Sequence, residues 1–157
     1  MIIPFTLNGE KLYLDARAGD RLVHILRQRF DLTETKESCC TGTCGVCTVL
    51  MNDVPVPSCM IPAFQIRNCR IVTLSHFKKT EDYQDIKKAL DEAKISLCGF
   101  CDAGKILTAY AVLLSHEKPG KQEIKEEMSG ISCQCTNPDD LAAAIQKAAA
   151  YRRQRLA

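Results

Sequence analysis

Residues 36–49 read Lys36-Glu37-Ser38-Cys39-Cys40-Thr41-Gly42-Thr43-Cys44-Gly45-Val46-Cys47-Thr48-Val49, which is a loop with four cysteines and two glycines that leads into an apolar strand. With Cys40 set aside, the spacing is Cys-x4-Cys-x2-Cys, the run that binds one side of a plant-type [2Fe-2S] cluster. A fourth thiolate is needed, and Cys59 follows Cys47 after eleven residues. The sequence therefore predicts a first metal site that consists of Cys39, Cys44, Cys47 and Cys59.

A second set of cysteines lies in the C-terminal half, as Cys-x2-Cys, a 31-residue gap and Cys-x1-Cys. Each pair precedes a predicted helix, so the four sulfurs are expected to converge where two helix N-termini favour an anionic cluster. Zinc sites also use Cys-x2-Cys, but a second pair separated by one residue fits zinc spacing poorly. The predicted second site consists of Cys98, Cys101, Cys133 and Cys135.

Composition limits the classes of function. The 157 residues carry a formal net charge of +2, which provides no basic field for nucleic acid. Neither a signal peptide nor a run of about 20 apolar residues is present, so we expect a cytoplasmic protein with no membrane contact. Ten cysteines in such a chain are better explained by metal binding than by disulfides, because the cytosol keeps thiols reduced.

The N-terminal half has strand and turn patterns. Residues 2–7 and 11–15 read as two strands joined by a turn at Asn8-Gly9, and a helix of about three turns is expected near residues 22–30. Further strands are predicted at residues 48–51, 54–56 and 70–74. This order suits a β-grasp, plant-type ferredoxin-like sheet with one helix across it.

Helical periodicity replaces strand patterns after Phe77, where a polar run at residues 78–82 reads as a linker. Four helices are expected, near residues 83–93, 106–114, 122–128 and from Asn137 onward. The predicted fold class is therefore α+β, with a ferredoxin-like domain at residues 1–77 and a four-helix bundle at residues 78–157.

Two cysteines and all three histidines fall outside both sets. Cys40 is next to a predicted ligand, but only Cys39 has the four-residue gap to Cys44. Cys69 is expected to pack as a small apolar side chain near the last strand. The histidines have no partner spacing that indicates a metal ligand or a catalytic base.

The order and spacing of both cysteine runs closely resemble the small iron-sulfur subunit of the xanthine dehydrogenase family of molybdenum hydroxylases, over nearly the whole chain. The resemblance implies two [2Fe-2S] clusters, with the second set nearer a molybdopterin and the first set nearer a flavin. It also implies a hetero-oligomer with a molybdopterin-binding large subunit and an FAD-binding medium subunit. Electrons from an aromatic heterocycle or an aldehyde would then cross this chain, which has no catalytic residues of its own.

Several neighbours of the second set depart from the pattern of that family. Leu97 stands where the family commonly has a glutamine that contacts the pterin, and Asp102-Ala103 replaces the usual Thr-Pro. Gln134 stands where an arginine is common, and the loss of a positive charge is expected to lower the reduction potential of the cluster unless another group compensates.

Two other functions remain compatible with the residues alone. A stand-alone two-cluster ferredoxin that serves another oxidoreductase has the same ligand sets, and the altered neighbours of the second set keep this alternative open. A non-redox, zinc-stabilised interaction module is the third alternative.

Overall fold

The computed structural model describes residues 1–157 and has an α+β fold. The strands are β1 (Ile2–Leu7), β2 (Glu10–Asp15), β3 (Thr48–Met51), β4 (Val54–Pro57) and β5 (Arg70–Val72). They form one mixed sheet in the order β2-β1-β5-β3-β4, in which β1 and β5 are parallel and all other pairs are antiparallel.

The first helix, α1, differs from its prediction. It begins as an α-helical turn, Leu22–His24, and continues as a π-helix, Ile25–Arg29. The wider π turn still buries Leu22, Ile25 and Leu26 against the sheet, so the apolar residues that suggested an α-helix do face the core. Alternate residues of β1, beginning at Ile3, supply the opposing surface.

The last strand also ends earlier than expected, at Val72. The amide of Thr73 donates to the Asn8 side-chain oxygen at 2.9 Å, which replaces the next bond of the sheet. The chain then turns into the short helix α2 (Leu74–Phe77). The predicted linker is short and ordered, because Lys78 pairs with Glu34 and Thr80 caps the following helix by accepting from Tyr83 N at 3.2 Å.

Four longer helices make up most of the second half. They are α3 (Glu81–Glu92), α4 (Asp102–Ser115), α5 (Lys121–Met128) and α6 (Pro138–Leu156). Asn137, from which the last helix was expected to begin, caps α6, since its side-chain oxygen accepts from Asp139 N at 2.9 Å and from Asp140 N at 3.3 Å. No helix is both long enough and apolar enough to span a membrane.

Strand β3 joins the two halves because it is buried on both faces. Val49 packs with α1 in the core of the sheet, whereas Leu50 on the opposite face packs in the core formed by α3 to α6. Leu74 and Phe77 of α2 belong to that second core as well. The cysteine loop before β3 is therefore held against the helices.

Candidate metal centres

The four thiols of the second set lie together. Their Sγ atoms are all within 4.8 Å of one another, although the two pairs are separated by a whole helix hairpin in sequence. The Cys98 sulfur is 3.3 Å from that of Cys101 and 3.5 Å from that of Cys133, and the Cys101 sulfur is 3.2 Å from that of Cys135. The structure thus brings together the four residues that the spacing had grouped.

Local structure positions each of these thiols. Cys101 is the buried residue immediately before α4, and Gly99 turns the chain between the first two cysteines with a φ of +81°. The Gly99 amide donates to the Asp102 carboxylate at 2.8 Å, which closes that turn. Cys133 and Cys135 lie on the loop before α6.

The environments of Cys98 and Cys101 differ. Backbone N–H groups of Cys101 and Phe100 lower the pKa of the Cys98 thiol to about 6, because they stabilise its thiolate. Burial raises the pKa of the Cys101 thiol. One ligand therefore offers a ready thiolate near neutral pH, and the other loses its proton only when metal binding compensates the buried charge.

The donor chemistry of this set fits an iron-sulfur cluster. All four donors are sulfur, with neither imidazole nor carboxylate among them. An all-thiolate set of this kind selects zinc or an iron-sulfur cluster and disfavours magnesium, calcium or manganese. The donor chemistry therefore leaves zinc and an iron-sulfur cluster as the two alternatives for the second set.

The first set is arranged in two pairs. The Cys39 sulfur accepts from the amides of Thr41 and Cys44, each at 3.4 Å. In the other pair, the Cys59 amide donates to the Cys47 sulfur at 3.4 Å, and both residues are buried beside Val23. Cys59 therefore contacts Cys47 of the loop, but only the second set has all four sulfurs within 4.8 Å of one another, and the four-thiolate ligation of the first set stays a prediction.

The thiols of the first set also differ in pKa. The Thr43 hydroxyl, followed by the Thr41 amide, lowers the pKa of Cys39 to about 4. Burial, followed by the contact with Cys47, raises the pKa of Cys59 to about 12. The outer thiol is thus prepared as a thiolate, whereas the inner one needs a metal to stabilise its charge.

Gly42 and Gly45 allow the first loop to pack closely. Their φ angles are +77° and +75°, which L side chains rarely adopt. A Cβ on Gly45 would lie 2.5 Å from Cδ1 of Ile131 and 2.7 Å from the Gly130 carbonyl oxygen. Glycine is required here because the loop before the second cysteine pair presses against it.

The Cys40 thiol is bound to a carboxylate of the same loop. Its sulfur donates to a Glu37 carboxylate oxygen at 3.1 Å, and that contact raises the pKa of the Cys40 thiol. The same Glu37 oxygen lies 2.9 Å from Nε2 of His24. These contacts keep Cys40 a neutral thiol and leave Cys39 to supply the thiolate.

We expect Cys40→Ala to retain the iron of both sites, because its thiol is bound to Glu37 rather than turned toward Cys39. The matched variant is Cys39→Ala, which should lose the first cluster and leave the second. Iron analysis and EPR spectra of the dithionite-reduced proteins check both results. Loss of the EPR signal of the first cluster in Cys40→Ala would mean that Cys40, and not Cys39, is the ligand.

Two hydrogen bonds join the two cysteine loops. The Ser132 amide donates to the Cys44 carbonyl oxygen at 3.0 Å, and the Ser132 hydroxyl donates to the Thr43 carbonyl oxygen at 3.1 Å. Ser132 is the neighbour of Cys133. A short bonded path therefore runs from Cys44 of the first set, through the hydrogen bond of the Ser132 amide, to Cys133 of the second set. Sequence spacing contains no sign of this contact, which links residues 89 positions apart.

The neighbours of the second set include one residue that sequence reasoning missed. Leu97 packs against the helical core and Gln134 is exposed, so neither brings a charge to the thiols. Lys105 does: its Nζ atom donates to the Cys135 sulfur at 3.3 Å. The available signal was its position four residues after Cys101, which places Lys105 one turn into α4 on the side of the residue that caps this helix.

Two all-cysteine sites, one beside a mixed sheet and one at the start of a helix, define the class of the protein as a two-centre metalloprotein. Family models identify the metal. Residues 5–67 match the 2Fe-2S iron-sulfur cluster binding domain, and residues 73–146 match the [2Fe-2S] binding domain.

Relatives define the family. The chain is 37% identical over 146 residues to the nicotinate dehydrogenase small FeS subunit of Eubacterium barkeri, covering 93% of each chain. It is 34% identical over 136 residues to the xanthine dehydrogenase iron-sulfur-binding subunit of Escherichia coli O157:H7, covering 85% of each. A chain of quinoline 2-oxidoreductase from Pseudomonas putida 86 superposes with a TM-score of 0.87 at 32% identity, covering 98% of this chain and 96% of that one.

This chain belongs to the family of small iron-sulfur subunits of the molybdenum hydroxylases. It carries two [2Fe-2S] clusters and serves as an electron-transfer subunit of an oxidoreductase. The predicted resemblance is confirmed, and the zinc module is excluded as a description of the second site.

Proposed function

We propose that the chain conducts electrons from a molybdopterin-binding large subunit to an FAD-binding medium subunit. Cys98, Cys101, Cys133 and Cys135 would hold the cluster on the molybdopterin side. The cluster on the flavin side would be held by Cys39, Cys44, Cys47 and Cys59. Each bound cluster supplies a one-electron store, while the protein chain sets their order and separation.

One observation carries this proposal: the bond from Ser132 N–H to the Cys44 carbonyl oxygen. It provides a continuous path between the two sets, through the Cys44 backbone, one hydrogen bond and the peptide that joins Ser132 to Cys133. Lone zinc sites or two independent redox centres have no need of such a path. The close packing of Gly45 on Ile131 supports it by holding the two loops together.

The division of the chain follows from the same assignment. We take residues 1–77 as a β-grasp, ferredoxin-like domain around the first cluster and residues 78–157 as a four-helix bundle around the second. Contacts of α6 with α3, α4 and α5 support the bundle. Leu74 and Phe77 lie just before the boundary and pack into the helical core, which ties the domains together.

The substrate of the complex would be an aromatic heterocycle or an aldehyde, and the relatives matched over most of their own length favour a nitrogen heterocycle. Nicotinate, xanthine and quinoline occur in the names of the relatives, and they share that chemistry. Oxidation would take place in the large subunit, so no side chain of this chain would contact the substrate. Ten free cysteines and two reduced-thiol sites support a cytoplasmic location for the assembled enzyme.

Affinity purification from the native host tests the proposal. We expect a tagged chain to bring down a molybdopterin-containing subunit and a flavoprotein, and a nitrogen heterocycle to reduce both [2Fe-2S] clusters in that complex. A chain that carries both clusters yet never captures these subunits would instead be a stand-alone ferredoxin. The second set does not decide between these results by itself, because its four thiols are complete although Leu97, Asp102-Ala103 and Gln134 depart from the family pattern.

A further inference from the structure

Lys105 is the only charged side chain among the buried residues, with 5% of its surface exposed. It lies in the first turns of α4, and its Nζ atom has two polar partners. It donates to the Cys135 sulfur at 3.3 Å and to the Thr136 hydroxyl oxygen at 2.7 Å. Its neighbours along the helix, Gly104 and Ile106, are buried as well.

No carboxylate neutralises this ammonium group. None of the ion pairs in the structure includes Lys105, and the nearest acidic residue in sequence, Asp102, accepts from the Gly99 amide. Burying an unpaired ammonium is strongly unfavourable. Its compensating negative charge must therefore come from the thiolates that it contacts, which is the state of the second set when a cluster is bound.

We propose that Lys105 raises the reduction potential of the second cluster and so makes it a better electron acceptor. The inference rests on the ligation proposed above for the four thiols of the second set. A [2Fe-2S] cluster with four thiolates is anionic, and its reduction adds one more negative charge. A fixed positive charge at a ligand sulfur stabilises the reduced form more than the oxidised form, and hydrogen bonds to sulfur act in the same direction.

The position of the ammonium group agrees with this role, because Nζ lies 3.3 Å from the Cys135 sulfur, which is itself 3.2 Å from the Cys101 sulfur. Lys105 therefore favours negative charge on the sulfurs around it. It also supplies the positive charge that Gln134 lacks, so the low potential expected from Gln134 alone does not follow.

The test is an EPR-monitored redox titration of the two-cluster chain and its variants. Lys105→Met keeps the length of the side chain and removes its charge, whereas Lys105→Arg keeps the charge. The matched control is Lys125→Met. Lys125 lines the same pocket as Lys105 but pairs with Asp139 at 2.8 Å.

We expect Lys105→Met to lower the equilibrium constant for reduction of the second cluster about tenfold. For a one-electron couple this lowers the reduction potential by about 59 mV. The first cluster should keep its potential, and Lys105→Arg and Lys125→Met should stay close to the wild-type value. An unchanged potential in a fully loaded Lys105→Met protein would overturn the inference. Absence of two [2Fe-2S] signals from the wild-type chain would instead overturn the proposed function.

A second measurement covers the case in which Lys105→Met loses its second cluster. The wild-type chain labelled with ¹⁵N at the lysine Nζ position should show a ¹⁵N hyperfine coupling in the pulsed EPR spectrum of the second cluster. That coupling should disappear in Lys105→Arg, in which no lysine contacts a ligand sulfur. A wild-type spectrum without the coupling would place Lys105 away from the cluster and refute the proposal.

Discussion

Cys135→Ala removes the second cluster and leaves the first. The Cys135 sulfur lies 3.2 Å from that of Cys101 and accepts from Lys105, so its loss breaks the four-thiolate set and leaves the buried ammonium with only the Thr136 hydroxyl as a partner. Cys135 is itself exposed, and its truncation therefore opens no cavity in the core. We expect iron and acid-labile sulfide to fall by about half and one of the two [2Fe-2S] EPR signals to vanish.

Cys69→Ala is the control for that experiment. Cys69 is a partly buried thiol outside both sets, and its sulfur donates only to backbone oxygens. Iron content and both signals should match the wild-type protein. If Cys135→Ala kept both signals at full intensity, Cys135 would not be a ligand.

We expect Gly104→Ala to push the first cysteine loop away from α4. A Cβ at this position would lie 2.6 Å from the Gly45 carbonyl oxygen, which is a backbone atom and cannot rotate away. Overpacking of this kind costs about 1–3 kcal/mol, with the backbone contact near the upper end. Alanine is favoured over glycine inside a helix by about 1 kcal/mol, so the net loss in the free energy of unfolding should be about 2 kcal/mol.

Two measurements check the result for Gly104→Ala. Urea unfolding of the loaded protein should show the lower stability, and electron exchange between the clusters should slow as the bond from Ser132 to Cys44 is strained. Gly130→Ala is the matched control, because its φ is not positive and no atom lies within 4 Å of the added Cβ. Equal stability of Gly104→Ala and the wild-type protein would mean that the loops can move apart freely.

Much of the fold was predictable because its signals are local. The turn at Asn8-Gly9, the Asn137 cap and the apolar periodicity of α3 to α6 each depend on residues within a few positions of one another. The two exceptions have causes that only the folded chain reveals. Thr73 leaves the sheet because it bonds to Asn8, and α1 widens into a π-helix while it packs on the sheet.

The sequence by itself predicted which thiols form each set, since the spacing of the cysteines is a covalent property of the chain. It also determined the family, through the order of both sets. Only the tertiary structure decided how the sets are connected and what surrounds them. The bond from Ser132 to Cys44, the contact of Gly104 with Gly45 and the approach of Lys105 to Cys135 join separate segments. Such contacts depend on how helices and loops pack, and no local pattern of residues encodes them.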